Sequence, residues 1–145
     1  MASNLGTASA AARSQTPVPH GRRPGELSRL GLVKTQVSNF EASKAFYVSA
    51  LAPIGYVLLR EISAAVSGGS DAVGFGVPPK PDFWISRGAP NSPPVHVAFR
   101  VLSRALVDAF YEAALAAGGR DNGAPGLRPH YHPNYYGAFV LDLDG

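Results

Sequence analysis

Apolar and polar residues alternate over two short runs, at 32–37 and again at His96–Val101. In the first, Val33, Thr35 and Val37 alternate with Leu32, Lys34 and Gln36. In the second, Val97, Phe99 and Val101 alternate with His96, Ala98 and Arg100. A period of two is that of a half-buried strand, so the valines are predicted to face a core and Lys34, Gln36, His96 and Arg100 the opposite side. A helix follows each run. The first opens on Ser38-x-x-Glu41, a capping-box pattern, and is predicted to run to about Leu51, before Pro53 and Gly55. The second begins near Ser103 and stops at Gly118–Gly119, which can supply a left-handed cap. Strand-like pieces at 56–62, Ala72–Gly76 and 82–86 follow the first helix. A long loop at 120–134 and a strand at 135–142 follow the second.

The two stretches read as copies. At an offset of 64, residues 32–55 align with 96–119 without a gap, and nine of 24 positions are identical, including Ala45-Phe46-Tyr47 with Ala109-Phe110-Tyr111. The same offset pairs Phe75 with Phe139. The expected architecture is α+β, a β-α-β-β-β unit occurring twice, with module one at about 30–90 and module two at about 94–145. The last strand of module two would follow Gly145 and is missing, which predicts an exposed sheet edge open to another chain.

Composition narrows the partners. The apolar fraction of 46% and charged fraction of 16% are globular values. There are no cysteines, which excludes disulfides, zinc–thiolate sites and thiol nucleophiles and fits a reducing compartment, the cytoplasm. The net charge of +3 comes from Arg13, Arg22, Arg23 and Arg29 against Glu26 alone. From residue 31 onward acids and bases balance, so the body carries no electrostatic footprint for nucleic acid. No apolar run is long enough to span a membrane. Residues 1–29, rich in Ala, Ser, Pro and Arg, are expected to be a disordered tail. A mitochondrial transit peptide is the alternative, although Pro17 and Pro19 interrupt the helix it needs.

Three phrases carry a family resemblance: residues 37–47 (VSNFEASKAFY), 94–99 (PVHVAF) and 136–145 (YGAFVLDLDG). Over residues 30–145 the chain resembles the vicinal-oxygen-chelate superfamily of glyoxalase I, bleomycin-resistance proteins and extradiol dioxygenases, and its small glyoxalase-like branch most closely. The resemblance implies paired βαβββ modules forming an incomplete cupped barrel around a pocket. It also implies a divalent metal (Zn, Ni or Fe) held by first- and last-strand residues, acting as a Lewis acid. Of those positions His96 is a ligand type, whereas its repeat partner Leu32 is not.

The pocket residues expected on this basis are Lys34, Gln36, Trp84, Arg100 and Tyr135 for substrate, with His96 for metal. The loop before Tyr135 is the densest polar–aromatic cluster, and His132 and Tyr136 are its acid/base or anchoring candidates. Two readings of function stand side by side. One is a small-molecule enzyme of isomerase, lyase or dioxygenase type acting on an oxygenated metabolite. The other is a non-catalytic binding protein of the bleomycin-resistance type, and an inactive truncated fragment is a third. A homodimer is a candidate assembly.

Overall fold

The computed structural model describes residues 7–13 and 33–145. The elements are β1 (Thr7–Arg13), β2 (Val33–Val37), α1 (Phe40–Leu51), a 3-10 turn (Ala52–Ile54) and β3 (Val57–Ile62). There follow α2 (Ala64–Ser67), β4 (Ala72–Gly76), β5 (Phe83–Arg87) and β6 (His96–Val101). The chain closes with α3 (Arg104–Ala116), β7 (Arg120–Leu127) and β8 (Tyr135–Leu141). The class is α+β. Two four-stranded sheets form, sheet A in the order β6-β1-β8-β7 and sheet B in the order β2-β5-β4-β3.

The alternation predicted for the two runs holds. Val37, Val97, Phe99 and Val101 are buried, while Lys34, Gln36, His96 and Arg100 are exposed. Helix α1 turns Phe40, Ser43, Phe46, Tyr47, Ala50 and Leu51 inward, the i, i+3, i+7 spacing of one helix face. Helix α3 does so with Val107, Phe110 and Ala114. Both helices and both sheets contribute to one core. Within it the Phe99 ring meets Tyr56 at 5.2 Å and Phe83 at 5.3 Å, both edge to face. Phe83 belongs to sheet B and Phe99 to sheet A, so this contact joins the buried faces of the two sheets, on which α1 and α3 also pack.

Three local expectations are corrected. The cap of α1 is Asn39, whose side chain accepts from the Ala42 amide at 3.1 Å, and not the Ser38 box. Ser38 instead donates its hydroxyl to Asp144 and its amide to Asp144 Oδ2 at 3.1 Å. The loop expected from residue 120 begins as strand β7, paired antiparallel to β8. Its Gly- and Pro-rich sequence lacks strand patterning, but an edge position tolerates Pro125. Finally, Thr7–Arg13 form β1, which lies between β6 and β8. Sheet A therefore does not present β8 as the open edge that a missing last strand predicts. The rest of the tail, the transit-peptide reading and Leu32 lie outside the described residues.

A buried polar pair ties the end of the chain to α1. Tyr47 Oη donates to Asp142 Oδ2 at 2.5 Å, and Asp142 Oδ1 accepts from the amides of Asp144 (3.0 Å) and Gly145 (3.1 Å). Burial pushes the Asp142 carboxyl above its ordinary value of 3.8, although the bond from Tyr47 opposes the shift. Burial likewise pushes the Tyr47 phenol well above its ordinary value. With its folded value raised, Asp142 contributes stability that is fully present below its unfolded value and is lost as pH rises through the folded one. Denaturant melts of the native chain and Asp142→Asn should therefore converge or cross in this direction: the native advantage shrinks as pH rises from about 4. Tyr47→Phe, which strips a buried acceptor of its donor, should cost about 1–3 kcal/mol in the same melts at acidic pH.

Candidate small-molecule site

Lys34, Gln36, His96 and Arg100 lie on the strand faces turned away from the buried valines and phenylalanines. On sheet A, His96 and Arg100 alternate with buried Val97, Phe99 and Val101. On β8, Phe139 alternates with buried Ala138 and Val140, and Tyr135 shares its parity. The His96 and Phe139 rings meet at 5.9 Å.

Phe139 is the floor of an open hollow of about 240 Å³ lined by Asn122, Gly123, Arg128, His130, Tyr131 and Phe139. The Arg128 guanidinium stands 5.5 Å above the Phe139 ring. It is fixed there by donating from Nη2 to the Ala124 carbonyl at 2.6 Å and from Nη1 to the Leu127 carbonyl at 3.3 Å. Glycine is required beneath it. Gly123 has φ +147°, and a Cβ there would come within 3.0 Å of Phe139 and 3.2 Å of Arg128. The loop after Arg128 turns back through Tyr131 N to Arg128 O (3.0 Å) and Arg128 N to Tyr135 O (2.7 Å). That turn brings His130, Tyr131 and Tyr135 together as tilted rings, with successive centroids 4.2 and 5.1 Å apart. A cation over an aromatic floor with imidazoles beside it suits a flat ligand carrying oxygen or negative charge.

The second group sits on sheet B. Lys34 is registered with Trp84 and Gln36 with Ser86. The Trp84 indole covers Gly74, where a Cβ would meet it at 2.8 Å and Pro81 Cβ at 2.9 Å. Trp84 Nε1 and the Ser86 hydroxyl are buried without a hydrogen-bond partner. Lys34, Gln36 and Trp84 belong to sheet B, and His96 and Phe139 to sheet A.

The two acid/base candidates part company. His132 stays in the exposed loop, its Nδ1 accepting from the Asn134 amide at 3.1 Å. Tyr136 is one residue out of phase with Phe139 and so faces the helix. Its hydroxyl donates to Asp108 of α3 at 2.7 Å, its ring lies 5.2 Å from Arg104, and the bond to Asp108 raises its phenol. Strand alternation thus places Tyr136 across the sheet from His96. Sequence reasoning placed Arg128 in the polar–aromatic loop that could close over a ligand but passed over Phe139 and Gly123 as site residues.

The metal implied by the resemblance does not fit. Among the described residues no three of His, Cys, Asp and Glu gather as a ligand set. His96 has a phenylalanine, not a second ligand, as its ring neighbour. No helix among the described residues is long and apolar enough to cross a membrane.

No family model and no curated protein matches the sequence. Solved structures do. The chain is similar to a glyoxalase/bleomycin resistance protein from Albidiferax ferrireducens T118, with a TM-score of 0.57 at 24% identity over 81% of this chain and 92% of that one. It is also similar to a hypothetical protein from S. aureus, with a TM-score of 0.56 at 22% identity over 82% and 92%. The chain has the fold of the glyoxalase/bleomycin resistance proteins, the vicinal-oxygen-chelate fold.

The position of Tyr136 yields a prediction. Tyr136→Phe should lower stability by about 1 kcal/mol through the lost bond to Asp108, read by chemical denaturation. A general acid or base at the hollow would instead lose function at unchanged stability.

Proposed function

We propose that this protein binds small, planar, oxygen-bearing molecules on the outer face of sheet A, as a vicinal-oxygen-chelate binding protein. The observation that carries the reading is the Phe139 floor beneath the fixed Arg128 guanidinium, with His96 and His130 at its sides. A flat ring stacks on or beside Phe139, and its carboxylate or carbonyl oxygens take the charge of Arg128 and the imidazole N–H groups. The hollow is small and open, which suits a compact metabolite. Binding is favoured over catalysis because, among the described residues, no acid/base pair and no metal ligand set converge on it. An isomerase, lyase or dioxygenase activity would need groups from elsewhere.

A homodimer belongs to the same reading. Lys34, Gln36 and Trp84 lie on sheet B, and a second copy could bring them beside the sheet A hollow of its neighbour. The duplicated βαβββ unit also belongs here, supported by the repeat at residues 32–55 and 96–119 and by the matching strand orders of the two sheets.

Benzoate and catechol are suitable probes. Titration of either should shift the His96 and His130 ring resonances, and Phe139→Ala and Arg128→Ala should each weaken binding about tenfold, the scale of a lost cation–π or charged contact. Trp84 is the only tryptophan. Ligand that quenches its fluorescence and leaves both histidines unmoved sits on sheet B and contradicts the proposal.

A further inference from the structure

The two sheets are built alike except for the source of one strand. In sheet B, β5 lies between β2, to which it is parallel, and β4, to which it is antiparallel. In sheet A, β1 lies between β6, parallel, and β8, antiparallel. The rows correspond too. Val33, Phe83 and Phe75 share a row in sheet B, and Val97, Ala8 and Val140 share one in sheet A. Thus β1, from the opposite end of the sequence, holds the place that β5 holds directly after β4.

We propose that the slot between β6 and β8 is a strand-accepting surface, and that Thr7–Arg13 occupies it as a detachable strand whose docking completes the ligand face of sheet A. The link to the ligand rests on the function proposed above. Three observations support it. The rows that β5 fills with Phe83 and Ile85 carry Ala8 and Ala10 in β1, residues with little apolar surface to bury. Docking therefore depends mainly on the hydrogen-bond ladders to its two neighbours. The segment TASAAAR is also poor in the β-branched and aromatic residues that favour strands. Lastly, His96 and Phe139 are carried by the two strands that β1 joins, Thr7 being registered with His96 and Ser9 with Phe139. A ligand that touches both rings binds the docked state, so ligand and strand stabilise each other.

The test uses the full chain and hydrogen exchange. Ala10→Pro removes a ladder donor from the middle of a central strand. In that variant the amides of β6 and β8 should exchange about tenfold faster or more while β2 and β5 keep their protection. A synthetic peptide with the native sequence of residues 5–15 should restore the lost protection. Benzoate should slow exchange of Thr7–Arg13 in the native chain. Unchanged protection of β6 and β8 in Ala10→Pro overturns the proposal, as does loss across both sheets without rescue by the peptide. Rescue by the peptide with no effect of benzoate upholds the slot and removes the ligand reading of the hollow.

Discussion

The edge-to-face contact of Phe83 with Phe99 is the constraint on which the arrangement depends. It joins β5 of one sheet to β6 of the other, and Tyr56 and Phe110 extend it. Once these rings meet, the inner faces of both sheets are committed to one core. The period of two then obliges Lys34, Gln36, His96 and Arg100 to the outer faces. Where polar chemistry can reside is therefore a consequence of how the aromatic residues pack. The Tyr47–Asp142 pair adds a buried polar tie between α1 and the turn after β8, and Asp144 extends it to Ser38.

Much of this was legible in the sequence where burial imposes a period. Val33–Val37 and His96–Val101 are strands as predicted, and the helices fall close to their predicted bounds, although Asn39 and not Ser38 caps the first. What escaped was long-range or weakly patterned. The use of Ser38 by a carboxylate far along the chain leaves no trace in a capping motif. Strand β7 is held by β8 and not by its own apolar residues, and β1 contains none larger than alanine apart from its threonine and arginine stems.

The hollow depended on a single-residue shift. The repeat at an offset of 64 pairs Phe75 with Phe139, yet Phe75 is buried in the core and Val140 takes its row in sheet A. A slip of one residue along a strand exchanges its faces. Phe139 is thereby released to the outer face, where Arg128 covers it, and Tyr136 is turned inward to Asp108. A reading by repeat alone assigns both aromatics to the wrong side.

The most direct measurement is the set of nuclear Overhauser contacts made by the Phe99 ring in the full chain. A shared core predicts contacts from Phe99 to both Phe83 and Tyr56, at the 5.3 and 5.2 Å ring separations. Contacts from Phe99 confined to sheet A and α3 would mean that the sheets do not share a core, and the placement of both polar faces would fall with it.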